Sequence, residues 1–151
     1  MIKRLRLEDF FDRPTTAYGV FQDRFSRPRR LFEADVLPTF KQGLLTLEEH
    51  FTFDDGVREE RIWKIRPEGR DAYRATANGV IGEAIGMMEG NALHWHYTFA
   101  LDIGPRVLNV QFDDWMCPAG EATLINRATI RKWGVRIGEL TLVFVKPPID
   151  S

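Results

Sequence analysis

The sequence predicts an all-β protein: a single antiparallel up-and-down β-barrel of about ten strands, with a short helical turn at its N-terminus. Three observations predict it. Turn-forming residues recur at short, fairly even intervals: Ser26-Arg27-Pro28, Lys41-Gln42-Gly43, Asp54-Asp55-Gly56, Pro67-Glu68-Gly69, Asn78-Gly79, Gly90-Asn91, Ile103-Gly104-Pro105 and Cys117-Pro118-Ala119-Gly120. Many short strands at that spacing belong to sandwiches or barrels. Segments between the turns alternate apolar and polar residues, the period of a strand with one buried face. The connections are of hairpin length, and their Asp-Gly and Asn-Gly pairs supply the positive backbone angles that tight hairpins need. A meander of hairpins rolled shut exposes no sheet edge.

In chain order, the helical turn falls near Leu7–Phe11. Strands follow near residues 16–23, 30–37, 44–53, 57–66, 71–77, 80–88, 92–101, 106–116, 122–131 and 139–146. The segment Lys132–Gly138 reads as either a loop or a helical turn. The strand at 92–101 carries Leu93, Trp95, Tyr97, Phe99 and Leu101 on one face and Ala92, His94, His96, Thr98 and Ala100 on the other. One face packs inward and one meets water. On the strand at 80–88, Val80, Gly82, Ala84, Gly86 and Met88 share a face of little bulk. Glycine weakens a strand, so this face marks strand curvature or, alternatively, space for a ligand.

The chain has 151 residues, enough for one domain with one core, and no repeat or linker divides it. Apolar residues make up 44% and charged residues 28%, within the ordinary globular range. The formal net charge is −1, so no bulk field favours nucleic acid. Cys117 is the only cysteine, which rules out an internal disulfide. The N-terminal Met1–Asp9 carries charges with no apolar run behind them, unlike a signal peptide. No stretch approaches the ~20 apolar residues of a membrane-crossing helix. As given, the chain reads as cytoplasmic, with the cell envelope as the alternative if it was trimmed from a longer one.

The most informative segment is Leu45–Phe53. Leu45, Leu47, Phe51 and Phe53 take alternate positions, and Glu49 takes the remaining one, so a carboxylate looks inward with the apolar side chains. A buried carboxylate is costly unless something pairs with it. On the next strand Arg61 shares a phase with Trp63 and offers that partner across the hairpin. Asp114, in phase with Phe112 and Met116, and Asn126, in phase with Leu124 and Ala128, also look inward. An apolar interior with a few fixed polar groups is the form of a small-molecule site. The competing reading is a structural ion-pair network closing one barrel end.

Other candidates are weaker. His94 and His96 share a strand face, a spacing that suits a metal, but no third ligand is visible and surface histidines are the plainer reading. No metal site and no cofactor is therefore expected. The run Asp23–Arg30 carries Arg24, Arg27, Arg29 and Arg30 around Phe25. It reads as a solvated hairpin tip, with weak contact to an anionic surface as the functional alternative. Nucleophile elbows, phosphate loops, zinc-protease helices and dinucleotide fingerprints are absent, so nothing argues for an enzyme.

Several segments carry a family resemblance: Leu7–Phe11, Tyr18–Phe25, Glu49–Gly56, Gly90–Trp95, Phe112–Met116, Asn126–Ala128 and Lys132–Glu139. Over nearly its whole length the chain resembles the bacterial domain-of-unknown-function family 3833. Many members of that family look like exported lipoproteins, a pattern from which this N-terminus departs. The resemblance implies a barrel similar in outline to the lipocalins and calycins, and no particular activity. The expected function is non-catalytic binding of a small apolar or amphiphilic ligand inside the barrel. Phe51, Phe53, Trp63, Trp95, Tyr97 and Phe99 are expected to line the pocket, and Glu49, Arg61, Asp114 and Asn126 to supply its polar end. The alternatives are a filled structural or protein-interaction barrel, and an enzyme using the polar interior. The sequence leaves the oligomeric state open.

Overall fold

The computed structural model describes residues 4–149. Met1, Ile2 and Lys3, the start of the N-terminal run read above, lie outside the described residues. A four-residue helix, α1 (Leu7–Phe10), precedes ten strands: β1 (Thr15–Asp23), β2 (Pro28–Lys41), β3 (Leu44–Phe53), β4 (Arg58–Glu68), β5 (Ala72–Ala77), β6 (Val80–Glu89), β7 (Ala92–Ile103), β8 (Arg106–Pro118), β9 (Thr123–Lys132) and β10 (Val135–Val145). Each strand pairs antiparallel with the next, and β1 closes the ring against β10, from Thr16↔Val145 to Asp23↔Gly138. The molecule is the closed up-and-down barrel that the turn spacing predicts.

Two segments differ from the sequence reading. Lys132–Gly138 is neither loop nor helix. Strand β9 runs to Lys132, Trp133 and Gly134 turn with φ of 51° and 77°, and β10 starts at Val135. Both φ values are positive, as a type I′ hairpin turn requires, but Asn-Gly is its usual sequence and Trp-Gly hid the signal. Strand β2 also runs through Pro38 instead of ending before it. Strand β1 reaches only as far as Thr15↔Val36, so Pro38 lies where β2 has β3 as its sole neighbour. A proline is tolerated on such an edge because one side of the strand needs no donor.

Alternation along the strands sorts side chains by face. Leu45, Leu47, Glu49 and Phe51 of β3 are buried inside. Exposed charges such as Glu33, Asp35, Lys64, Arg66, Arg74, Glu83 and Arg127 stud the outside. A membrane-crossing barrel wears a continuous apolar outer band; here charges interrupt an outer face that also carries exposed apolar side chains such as Tyr18, Ile85 and Ile125. Among the described residues no helix is long and apolar enough to cross a membrane.

The two barrel ends differ. Helix α1 plugs the end where β2 turns into β3. Leu7, Phe10 and Phe11 are buried there, and the Phe11 ring meets Phe144 edge-on at 5.4 Å. The Leu7 N–H donates to the Tyr73 hydroxyl at 3.2 Å, and that hydroxyl donates to Glu8 at 2.6 Å. These bonds pin the short helix to β5. The other end carries the β1–β2, β3–β4, β5–β6, β7–β8 and β9–β10 turns.

Candidate functional site

The barrel encloses a cavity of about 750 Å³. It runs from Leu7 and Phe11 at the plugged end to Arg30, Asn78, Gly79 and Asp102 at the opposite end, which forms its mouth. All ten side chains singled out in the sequence border this one space: Glu49, Phe51, Phe53, Arg61, Trp63, Trp95, Tyr97, Phe99, Asp114 and Asn126. The period-2 geometry of β3, β4, β7, β8 and β9 brings them together, since each occupies an inward position on its strand.

The aromatic lining is continuous. Phe51 and Phe53 stack at 6.1 Å and both contact Phe32. Trp63 meets Tyr97 edge-on at 5.5 Å, and Tyr97 stacks on Phe112 at 5.0 Å. Such pairs fix ring orientations, and a fixed apolar wall is already shaped for a ligand.

Deep in the barrel Glu49, Arg61, Asp114 and Asn126 interrupt that wall. Asp114 accepts from Asn126 Nδ2 at 2.6 Å and from the Tyr97 hydroxyl at 3.3 Å. Burial nevertheless pushes its pKa up to about 7, against those two bonds, and the Asp113 and Glu49 charges push the same way. Burial likewise raises Glu49 to about 7, opposed by the Arg61 charge and the Trp63 indole. Taking a carboxylate out of water penalises its charged form, so both groups hold their protons well above the usual carboxylate range.

Arg61 differs from the expectation. It is the direct cross-strand partner of Glu49, yet among the described residues it forms no ion pair within 4.0 Å. Its guanidinium lies over the Phe99 ring at 4.6 Å and 5.7 Å from the Phe51 ring centre. Its Nε is buried without a hydrogen-bond partner. Strand register fixes which residues are neighbours, but the rotamer decides which of them touch, and here the aromatic face takes the guanidinium.

Sequence reasoning missed other parts of the site. Arg30, read as part of a solvated tip, lines the cavity mouth with its guanidinium 3.5 Å from the Phe53 ring centre. Asn78 accepts from the Ile62 N–H at 2.9 Å and donates to the Glu60 carbonyl at 3.0 Å, continuing the β4–β5 ladder at the mouth with a side chain. Phe21, Phe32, Leu140 and Phe144 also line the cavity. Extending the inward phase to β1, β2 and β10 was the available signal for those four.

On the outer wall, His94 stacks on Trp115 at 3.9 Å and contacts Asp113, which brings His94, His96 and Asp113 together. The third oxygen or nitrogen atom that the sequence did not reveal is thus a β8 carboxylate. Arg131 already lies 3.5 Å from that carboxylate.

A closed antiparallel barrel with a deep apolar cavity, a plugged end and a few interior polar groups is lipocalin-like in architecture. The chain belongs to the family described as protein of unknown function DUF3833, whose family model matches residues 2–146. No curated protein sequence matches it. Among solved structures it is similar to the S-type phycobiliprotein lyase of Guillardia theta, with a TM-score of 0.68 and 8% identity over 97% of this chain and 96% of that one. At that identity the likeness speaks for the fold alone.

Proposed function

We propose that this protein binds a small amphiphilic molecule inside the barrel without chemically altering it. The observation that carries the reading is a cavity of about 750 Å³ whose apolar wall holds one guanidinium with an unsatisfied, buried Nε. Ligand cavities typically span roughly 300–1,000 Å³, whereas a packed core leaves few voids larger than a water molecule. The size favours a container over a filled structural barrel. A buried donor without a partner costs free energy that a ligand acceptor recovers. The apolar body of the ligand would lie among Phe51, Trp63, Trp95 and Phe99. Its polar end would accept from Arg61 and from the protonated carboxyl of Glu49 or Asp114. A carboxylic acid or a comparable anionic head on an apolar body meets both requirements. The raised carboxyl groups would also suit acid–base chemistry; among the described residues no Ser, Thr, Cys, Lys or His lines the cavity beside them.

The test compares an anionic and a neutral fluorescent amphiphile of similar size, with wild type and Arg61→Leu. Loss of a charge-assisted hydrogen bond of about 1.5–3 kcal/mol weakens the anionic probe roughly tenfold to a hundredfold and leaves the neutral probe nearly unchanged. A bilin belongs in the same panel, because a lyase of like fold is named for a phycobiliprotein. If neither probe enters, and native mass spectrometry of protein from its source finds no bound molecule, the binding reading fails.

A further inference from the structure

The turns at the barrel mouth carry aromatic side chains that the turns at the plugged end lack. Trp133 is 85% exposed and Phe25 67%, on two different mouth turns, and Val107 at the start of β8 is 65% exposed. Val57 and Val135 beside them are exposed as well. The turns at the plugged end are Gln42-Gly43, Gly69-Arg70-Asp71, Gly90-Asn91 and Ala119-Gly120-Glu121-Ala122, none with an aromatic residue. The asymmetry is one of turn aromatics: at the plugged end Phe40 is 49% exposed but lies within β2, not on the turn.

Trp133 violates two rules at once. It leaves a large indole in water, and it holds φ at 51°, where a bulky L-residue is disfavoured and asparagine or glycine is usual. The Lys132 ammonium lies 4.9 Å from the ring centre. Local rules are broken most often where function requires it.

The charges beside these side chains are basic. The β9–β10 tip is tied to the β1–β2 tip by the Arg136 guanidinium, which donates to the Arg24 carbonyl at 3.0 Å. That joins Phe25 and Trp133 into one side of the rim, with Arg24, Arg27 and Lys132 around them. Among the described residues none of these three cations has a carboxylate partner. The nearby acids Asp23 and Glu139 are engaged by Arg29 at 2.6 Å and Arg127 at 2.9 Å. Asp54 and Asp55 lie on the β3–β4 turn, and Glu59, Glu60 and Asp102 border the cavity from β4 and β7.

We propose that this rim docks the mouth onto an anionic membrane surface, with Trp133 and Phe25 entering the headgroup region and Arg24, Arg27 and Lys132 meeting lipid phosphates. Separate projecting apolar tips flanked by cations suit the headgroup–acyl boundary, where amphipathic aromatics settle. A protein partner would favour a flat, continuous apolar patch. The placement also gives a small amphiphile a route between bilayer and cavity that avoids bulk water. The inference deepens the binding reading above, but its test needs no ligand in the cavity, so the two can fail separately.

The experiment measures sedimentation of the full chain with phosphatidylcholine vesicles, with and without phosphatidylglycerol, and quenching of Trp133 by brominated lipid. Binding is expected on the anionic vesicles and is expected to weaken with salt. Arg24→Gln with Arg27→Gln lowers partitioning about tenfold or more, since each basic residue near such a surface contributes on the order of fivefold. Trp133→Asn abolishes binding while leaving the melting temperature unchanged or raised, because asparagine suits the left-handed turn. Phe25→Ser is the second variant, on a different turn. Equal binding to neutral and anionic vesicles overturns the charge role. Wild-type affinity in both aromatic variants, a lowered melting temperature in Trp133→Asn, or a rim that binds a protein but neither vesicle overturns the proposal.

Discussion

Glu49 faces the interior because the period of β3 leaves it no other side, and its chemistry follows from that placement. In the unfolded chain Glu49 and Asp114 ionise near 4.5 and 3.8, whereas in the barrel both hold their protons to about 7. Between those limits the folded state binds more protons than the unfolded one, so unfolding free energy falls as pH rises. This slope opposes the usual loss of stability in mild acid. Urea unfolding of the ligand-free protein should therefore give a higher stability at about pH 5 than at about pH 8, by on the order of 1–2 kcal/mol for each group. Glu49→Gln should flatten part of that slope and stabilise the protein at the higher pH. A wild type whose stability climbs steadily over this range would show that the two carboxyls are solvated.

Strands shape the cavity as much as side chains do, and glycines decide where rings can lie. Gly19 of β1 is the direct cross-strand partner of Phe32, and Gly86 of β6 that of Trp95. A Cβ on Gly19 would fall 2.1 Å from the Phe32 ring, and one on Gly86 would fall 3.0 Å from the Trp95 ring. Each ring lies over its glycine, the arrangement that protects a bare strand position and pins register. Gly19→Ala should thus cost about 1–3 kcal/mol as overpacking, and Gly86→Ala less. Denaturant midpoints would measure both; an unchanged midpoint for Gly19→Ala would mean that Phe32 moves aside freely. The low-bulk face of β6 was legible in sequence as curvature, and Gly82 at φ 69° with a register shift between Ile81 and Ile85 supplies it. What the sequence could not show was the ring packed on Gly86. Alternation makes a strand and its inward face readable from local order, which is why ten cavity residues could be named in advance. Arg61 on Phe99 instead of on Glu49, Arg30 at the mouth and the Trp133-Gly134 turn depend on rotamer, hairpin offset and an unusual turn residue, none of which local order encodes.

At the scale of the whole molecule, one closed end and one open end make the barrel a cup. Closure rests on a helix too short to be stable alone, since α1 has a single turn and no side-chain N-cap. It persists because Leu7, Phe10 and Phe11 bury themselves in the barrel end and because Tyr73 ties it to the wall. Phe11 serves twice, packing on Phe144 and forming part of the cavity floor. Phe11→Ala should therefore destabilise the protein by about 3–5 kcal/mol, the usual cost of removing a buried phenyl group. It should also deepen the cavity, so that a longer apolar probe gains affinity relative to a short one. Both effects arise from one side chain, and together they distinguish a floor from a mere core contact. Unfolding curves give the first and competition between probes of two chain lengths gives the second. A stability loss with no change in the preferred probe length would place the cavity floor above α1 and leave the helix a purely structural stopper.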